Sequence, residues 1–443
     1  MIKDLTIGSP VKVILRFSIP MMIGNLFQQF YNIADSMIVG RYLGSDALAA
    51  VGSSYAVTTF ITSIILGLCM GVSVAFSQFF GGKLWTNLKK SIIFSFIMIG
   101  GISLLISILS LLFTKQIMIF TNIPLDIQNM TQTYLTTIFY GIPFVFLYNW
   151  SANLQRALGN SKAPLIFLII SVIANIIFDI ILVVPFQMGI FGAAFATIIS
   201  QLFSATLSMV YCIKKIRFLT FQKEDFKIDN YIVNITISYS ILTSIQQSIM
   251  NFGILMVQGL VNSFGTVAIA AFTSASKIDS FAYMPVQDFG NAFATYVAQN
   301  KGAKQYKRII DGMKVSFLFV VIFCAVISSI VYLFAPQLIQ LFVTDQEVIQ
   351  LGVECLHVVC CFYCLIGFLF LFYGIYRGIG NVFMSIVLTV ISLGTRVVLA
   401  YLMAYWIGLE GVWWSIPIGW FLADCTGILY FLFRQRNKMR LSD

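Results

Sequence analysis

The feature that most constrains this chain is a succession of long apolar stretches, each about the length needed to cross a lipid bilayer. A transmembrane helix needs about 20 apolar residues. Twelve candidate stretches follow one another, at roughly 16–39, 46–80, 89–113, 130–155, 162–184, 189–213, 231–264, 267–299, 311–334, 351–376, 381–406 and 409–433. The composition agrees, since 59% of the 443 residues are hydrophobic and only 10% are charged. It excludes a disordered protein, a nucleic-acid-binding domain and a disulfide scaffold. We therefore expect an all-α polytopic membrane protein with twelve transmembrane helices.

The basic residues predict the orientation of these helices. If Met1 is cytoplasmic, 23 of the 27 Lys and Arg residues fall on the cytoplasmic side, and only Arg41 and Lys115 lie in loops on the other side. This is the positive-inside pattern, so both termini are predicted to face the cytoplasm. The chain is predicted to be a multi-pass protein of the cell membrane. The first apolar stretch is long enough to span, so no cleavable signal peptide is expected.

An internal repeat divides the chain into two halves. Residues recur at a constant offset of 221: Gly44 and Gly265, Gln78 and Gln299, Gly81 and Gly302, Lys83 and Lys304, Arg156 and Arg377, Gly159 and Gly380, Asn160 and Asn381. Because each half has six spans, an even number, both have the same orientation, and the repeat is parallel about an axis along the membrane normal. The predicted domains are an N-lobe, 1–213, a cytoplasmic linker loop, 214–230, and a C-lobe with a basic cytoplasmic tail, 231–443. A transported solute would sit in the cleft between the lobes.

Polar residues inside the first half form one candidate site. Acids within spans are costly and are functional candidates by default. A polar stripe follows one face of the first span: Asn25, Gln28, Asn32 and Asp35. Asn175 and Asp179 share a face of the fifth span, and Thr197 lies at a similar depth in the sixth. Together with Asp35 these three residues are expected to bind a proton or a small cation such as Na⁺; interhelical hydrogen bonding is the alternative. Pro20 precedes the stripe and can kink the helix, which makes it a candidate hinge.

The second half lacks the matching acids, since Asp35 corresponds to Met256 and Asp179 to Ala400. Its polar residues, with the stripe of the first span, are expected to line a substrate cavity. The members of this predicted cavity are Asn25, Gln28, Asn32, Gln247, Asn251, Gln258, Asp279 and Asp288. Lys277 is expected to neutralise one of the acids of the eighth span, and Arg396 is expected to pair with Asp424. The cluster Cys360, Cys361 and Cys364 is interpreted as packing within an apolar helix.

Several motifs resemble the multidrug and toxic compound extrusion (MATE) family. They are Ile19-Pro20 through Asp35 to Gly40-Arg41-Tyr42-Leu43-Gly44, Gln78 with Gly81-Gly82, Leu154-Gln155-Arg156-Ala157-Leu158-Gly159-Asn160, and Gln299-Asn300-Lys301-Gly302-Ala303. The resemblance covers nearly the whole chain and implies twelve helices in two lobes. It implies cation-coupled export of amphipathic, mostly cationic drugs, with Asp35, Asn175, Asp179 and Thr197 as a proton or sodium site. It implies no enzyme activity, no cofactor beyond the coupling ion, and no nucleic-acid or obligate protein partner.

Other functions stay open at this level. A major-facilitator transporter would share the two six-helix halves, but its basic glycine–acid loop is missing from Gly81 to Lys90. A flippase for a lipid-linked sugar would want several arginines in its cavity, and only Lys277 and Arg396 lie in spans. An intramembrane aspartyl protease using Asp35 and Asp179 would need sequence contexts that are absent around both acids. No Walker motif is present, which excludes direct coupling to ATP.

Overall fold

The computed structural model describes residues 3–121, 123–216, 220–227 and 229–435, and over these ranges it is helical and without strands. The helices of the first half are α1 (Pro10–Leu43), α2 (Ser45–Gly81), α3 (Trp85–Leu112), α4 (Thr114–Phe120), α5 (Gln128–Ala157), α6 (Lys162–Val183) and α7 (Gly189–Lys215). Those of the second half are α8 (Asn230–Asn262), α9 (Thr266–Gly302), α10 (Tyr306–Gln340), α11 (Gln346–Cys360), α12 (Tyr363–Gly378), α13 (Val382–Ile407) and α14 (Leu409–Tyr430). Short 3₁₀ turns lie at Leu125–Ile127 and Lys223–Phe226.

The helices account for the twelve expected spans. Within the described ranges, nine helices are long and apolar enough to cross a membrane, and the bent pair of α11 and α12 makes a tenth. The other two spans are α5 and α9, which have 30 and 37 residues but are more polar. Polar residues on a spanning helix must face other helices or water rather than lipid. The two polar helices are therefore the first place to look for a site.

The backbone preserves the repeat that the sequence shows. Helix α2 and helix α9 begin and end at positions related by the offset of 221. Left-handed backbone conformations recur in matched pairs: Gly44 and Gly265 with φ of 90° and 96°, Lys83 and Lys304 with 56° and 59°, Gly159 and Gly380 with 78° and 76°. Non-glycine residues rarely adopt a positive φ. The recurrence at two lysines therefore shows that the duplication extends to the geometry of the turns.

The chain separates into two compact units. Unit 1 comprises residues 1–4 and 23–247, and unit 2 comprises 5–22 and 248–443. Both internal borders fall within helices, inside α1 after Met22 and inside α8 after Gln247. Each unit has its own apolar core, built around large buried side chains: Phe76, Phe139 and Trp150 in unit 1, and Phe289, Phe293 and Trp413 in unit 2.

Close helix packing in unit 1 depends on two glycines of α2. A Cβ atom at Gly71 would lie 2.1 Å from the carbonyl oxygen of Tyr239, and one at Gly67 would lie 2.4 Å from Cα of Ser244. These contacts leave no room for any side chain at either position. The small-residue spacing of Gly67 and Gly71 is therefore what lets the backbone of α2 meet that of α8.

The tenth expected span is not one continuous helix. Helices α11 and α12 meet at Cys361–Phe362 with a bend of 53°. The hydroxyl of Ser328 on α10 donates to the carbonyl oxygen of Cys360 at 2.6 Å, and the amide of Phe362 turns back to the carbonyl of Val359 at 3.1 Å. A side chain that occupies a carbonyl of the helical ladder is a recognised cause of a kink. The expectation that Cys360, Cys361 and Cys364 share one helix is wrong for this reason.

Candidate functional site

Four helices of unit 1 bring polar side chains together at one depth. Asp35 comes from α1, Tyr134 from α5, Asp179 from α6 and Thr197 from α7. The carboxyls of Asp35 and Asp179 are neighbours that interact directly with each other. Asp179 is fully buried, whereas Asp35 is half-buried. We call Asp35, Asn175, Asp179 and Thr197, with the tyrosines described below, the acid cluster.

Asn175 links the acid of α6 to α7. Because Asn175 and Asp179 are four residues apart on one helix, their side chains share a face. In the amide orientation that satisfies both neighbours, the Asn175 side-chain nitrogen donates to Oδ2 of Asp179 at 2.8 Å. Its oxygen then accepts from the backbone amide of Thr197 at 3.2 Å. The structure thus brings together the four residues that the sequence analysis grouped as a cation site.

Two tyrosines belong to the same cluster, and the sequence analysis missed them. The hydroxyl of Tyr31 lies 3.3 Å from Oγ1 of Thr197, and both Tyr31 and Tyr134 interact electrostatically with Asp35 and Asp179. Tyr31 precedes Asp35 by four residues, so the spacing on α1 carried a signal. Tyr134 has no such signal, because its proximity depends on how α5 packs against α6 and α7.

The charge of the cluster needs compensation. Among the described residues, no Lys or Arg forms an ion pair with Asp35 or Asp179. Two ionised carboxylates at hydrogen-bond distance repel strongly in a poorly solvated site unless a proton or a cation lies between them. The oxygen atoms offered are carboxyl, amide and hydroxyl groups, which suit a proton or a hard cation. The chemistry of these oxygen atoms is therefore compatible with one bound proton or small cation.

A cavity of about 170 Å³ adjoins the acid cluster inside unit 1. Its polar lining includes Gln28, Tyr31, Asn149, Ser171, Asn175, Thr197, Ser200, Gln201 and Ser204. The volume accommodates several water molecules, and the amides and hydroxyls supply the partners that such waters need. Along α7 the cavity follows the helix from Thr197 to Ser204, about 10 Å at 1.5 Å per residue. It connects the cluster with the part of unit 1 nearer to the end of α7.

A second, larger cavity of about 680 Å³ lies between α5 and α7. It is lined by Asn129, Gln132, Thr133, Thr136, Thr137 and Tyr140 of α5 and by Phe191, Phe195 and Ile198 of α7. The rings of Phe191 and Phe195 are stacked with centroids 5.5 Å apart. Spacings of three and four residues place the α5 side chains on one polar face, a signal that the sequence analysis did not use. Amides, hydroxyls and aromatic faces together suit an amphipathic molecule.

The residues expected to line the substrate cavity belong to both compact units. In unit 1, Gln28 lines the smaller cavity, while Asn25 and Asn32 are partly buried on α1 outside its lining. Gln247 is partly buried on α8, also in unit 1. In unit 2, Asn251 is partly buried, and Gln258 donates to the side-chain oxygen of Asn262 at 3.0 Å.

The acids of α9 in unit 2 have partners other than those expected. The hydroxyl of Tyr363, the first residue of α12, donates to Oδ1 of Asp279. Asp279 and Arg396 interact electrostatically, and Asp288 is partly buried further along the helix. Lys277 instead lies over the ring of Phe342, 5.4 Å from its centroid. The expected pairing of Lys277 with an acid is therefore not formed, because the ammonium group has a cation–π partner.

The expected pair of Arg396 and Asp424 is also not formed. Among the described residues, neither carboxyl oxygen of Asp424 has a hydrogen-bond partner. Arg396 is surrounded by Tyr283, Asp279 and Cys355. The adjacency of α13 and α14 was predicted correctly, but neighbouring helices do not by themselves fix which side chains meet.

Comparison with known proteins decides the family. The sequence model of the MatE family matches residues 20–181 and 240–402, one segment in each repeat. The chain belongs to the MatE family. MatE proteins are membrane transporters, so the chain is a transporter rather than an enzyme. This excludes the alternative that the chain is an intramembrane aspartyl protease.

Relatives and solved structures agree with this assignment to the MatE family. The chain is 27% identical to the "probable multidrug resistance protein YoeA" of Bacillus subtilis strain 168, over 96% of this chain and 94% of that protein. It is 26% identical to the "multidrug export protein MepA" of Staphylococcus aureus strain NCTC 8325, over 98% and 97%. An outward-facing structure of a multidrug resistance MATE family transporter matches with a TM-score of 0.92 at 23% identity, over 100% and 98%. The twelve-helix, two-lobe plan is thereby confirmed as the MatE fold.

Proposed function

We propose that this MatE protein is an antiporter that couples the inward movement of H⁺ or Na⁺ to the export of amphipathic, mostly cationic compounds by alternating access. The contact between the carboxyls of Asp35 and Asp179 carries the proposal. A pair of acids in a site without a basic partner can exchange one cation, and acids within membrane spans are characteristic of ion pathways. The names of the two relatives, a probable multidrug resistance protein and a multidrug export protein, support export as the direction of transport and drugs as the substrates.

The two cavities of unit 1 give this mechanism a physical route. The smaller one would hydrate the acid cluster, so that a cation can leave it without crossing apolar packing. The larger one offers stacked aromatic rings and a polar helix face, and aromatic faces attract organic cations. The excess of Lys and Arg in alternate loops supports a cytoplasmic location of the termini and of the linker loop, 214–230, in a cell-membrane protein.

Transport assays in sealed vesicles test the proposal. Wild-type protein should drive efflux of a cationic dye when a proton or sodium gradient is imposed. Asp35→Asn keeps the shape and hydrogen-bonding capacity of the side chain but cannot ionise, so it should abolish gradient-driven efflux, and Asp179→Asn should do nearly the same. Asp46→Asn, an exposed acid in the first turn of α2, is the control and should transport normally.

Two results would overturn the proposal. One is wild-type efflux, with an intact pH and sodium response, in both Asp35→Asn and Asp179→Asn. The other is tighter binding of anionic than of cationic compounds of equal size, since the site offers carboxyls and aromatic faces rather than bases.

A further inference from the structure

Unit 2 holds a buried acid that the proposed mechanism does not use. Asp424 lies in the C-terminal half of α14, and only 3% of its surface is exposed. Within the described part of the chain, its Oδ1 and Oδ2 atoms both lack a hydrogen-bond donor. Buried polar groups nearly always have partners, and a bound ion is one of the explanations for an acid that has none.

A tyrosine of a neighbouring helix interacts electrostatically with this acid. Tyr373 of α12 interacts with Asp424, and its hydroxyl hydrogen-bonds to Thr389 of α13. Tyr373 and Thr389 are buried, with exposed fractions of 4% and 0%. The hydroxyl of Thr389 also donates to the carbonyl oxygen of Ser385 at 2.8 Å. The carboxyl of Asp424 and the hydrogen-bonded hydroxyls of Tyr373 and Thr389 thus belong to three helices that pack together in the interior of unit 2.

The charged and titratable groups of the packed helices are committed elsewhere. On α12, Arg377 donates to Oδ1 of Asn291 at 2.7 Å and to the carbonyl oxygen of Tyr373 at 3.3 Å, and Tyr376 donates to the carbonyl oxygen of Gly427. Arg396 on α13 and Cys355 and Cys360 on α11 interact with Asp279, and Glu410 lies in the first turn of α14. Tyr373 is the titratable side chain for which the structure gives an electrostatic interaction with Asp424 among the described residues.

These contacts indicate what the site holds. An ionised carboxylate without donors or a counter-ion is strongly disfavoured in a buried position. A single carboxyl balances one positive charge, and the oxygen atoms around it suit a proton or a sodium ion. We infer that Asp424, with Tyr373 and Thr389, forms a second monovalent-cation site, in unit 2 and distinct from the acid cluster of unit 1.

The repeat shows that this site is not a copy of the first. At the offset of 221, Asp424 corresponds to Phe203, while Asp35 and Asp179 correspond to Met256 and Ala400. The acids of the two halves, Asp35 and Asp179 in the first and Asp424 in the second, therefore do not correspond in the repeat. The inference stands whether or not the acid cluster of unit 1 drives transport.

Melting temperatures of purified protein test the second site in a background that removes the first. In an Asp35→Asn/Asp179→Asn double variant, acidification or added NaCl, with choline chloride as the ionic control, should still raise the melting temperature. A cation that binds only the folded protein stabilises it. Adding Asp424→Asn should remove a measurable part of that rise, whereas adding Glu410→Gln, an exposed acid of the same helix, should leave it intact.

A third substitution separates the two cations. Tyr373→Phe removes a possible sodium ligand, so it should weaken the response to NaCl if the site binds sodium and leave the response to acid intact if it binds a proton. Equal acid and sodium responses with and without Asp424 would overturn the inference.

Infrared spectroscopy gives a measurement that does not require the Asp424 variant to fold. A protonated buried carboxyl has a carbonyl-stretch band that persists in the double variant when surface acids are ionised. The absence of both this band and any sodium-dependent stabilisation in the double variant would also overturn the inference.

Discussion

At the scale of single residues, the two glycines of α2 carry a sharp stability prediction. Gly71→Ala should destabilise unit 1 by about 1–3 kcal/mol, because the added methyl group overlaps the carbonyl of Tyr239 and forces the helices apart. Gly67→Ala should act in the same direction against the backbone of Ser244. Thermal unfolding of the purified protein measures both effects.

The same helix supplies a matched control. Among the described residues, no atom of a neighbouring helix lies within 4 Å of the place that a methyl group on Gly52 would take. Gly52→Ala should therefore leave stability unchanged or raise it slightly, since alanine favours helices. If all three substitutions lower the melting temperature equally, helix propensity or expression rather than close packing explains the result.

The membership of the acid cluster was predictable in part. Asp35, Asn175 and Asp179 could be recognised from the sequence because acids and amides are rare and costly within membrane spans. Their helical spacing also predicts which side chains share a helix face. Tyr31 and Tyr134 do not, since a tyrosine in an apolar helix is usually explained by packing. The partners of Lys277, Arg396 and Asp424 were predicted wrongly. Opposite charges on adjacent helices suggest a pair, but rotation of each helix decides whether they meet.

At the scale of helices, α1 is the element in which we expect bending during transport. Pro20 lies inside the continuous helix Pro10–Leu43, and the border between the two compact units falls just after it, between Met22 and Ile23. A proline removes one helical hydrogen bond and lowers the cost of bending there. We expect Pro20→Ala to preserve folding but to slow efflux, as measured by dye transport and thermal unfolding on the same preparation. Unchanged transport rate and substrate affinity would mean that the proline has no role as a hinge.

The linker between the repeats is held against α3 by charge. Lys89 donates to the carbonyl oxygen of Thr220 at 2.8 Å and lies 3.5 Å from Asp225, and Lys90 donates to Oδ2 of Asp229 at 3.0 Å. The hydrogen bond from Lys90 lowers the pKa of Asp229 below its ordinary value. The contribution of this pair is therefore present at neutral pH and is lost as the pH falls through that lowered pKa.

Limited proteolysis measures this attachment. Replacing both Lys89 and Lys90 by methionine should increase cleavage in the segment 220–229 at neutral pH, because the loop loses its anchors. In strong acid the difference from wild type should shrink, since Asp229 is then protonated in both proteins. Lys115→Met, a basic residue of α4, is the control and should leave cleavage in the segment unchanged.

The break between α11 and α12 marks the limit of prediction for helices. Cys360, Cys361, Phe362 and Tyr363 contain no proline or glycine, so local sequence favours one continuous span. The kink depends on a hydroxyl from α10 that reaches the carbonyl of Cys360. Such a contact exists only once the helices have packed, and single-sequence reasoning has no access to it.

At the scale of the whole molecule, the duplication was the most informative signal. Lys83 and Lys304, which the sequence offset pairs, are far apart in the chain, yet they share a rare backbone conformation. The length of the apolar stretches predicts the helices, and the repeat predicts which turns correspond in the two halves. The cavities do not, because a cavity is defined by the gaps between helices, and a polar face such as that of α5 only becomes a lining when its neighbours are in place.

The coupling mechanism makes a quantitative prediction about the molecule as a unit. If the cation and the substrate favour opposing states of one transporter, each must weaken the binding of the other by the same factor, because the two effects are one free energy. Dye affinity measured across pH or sodium concentration, and cation affinity measured with and without dye, should give equal factors. In the Asp35→Asn/Asp179→Asn double variant this coupling should be lost, and each single variant should lose nearly as much as the double, because contacting groups act as a unit. Glu410→Gln should retain wild-type coupling. Full coupling in the double variant would mean that the coupling ion does not bind at the acid cluster. The candidate acids would then be Asp279, Asp288 and Asp424 of unit 2.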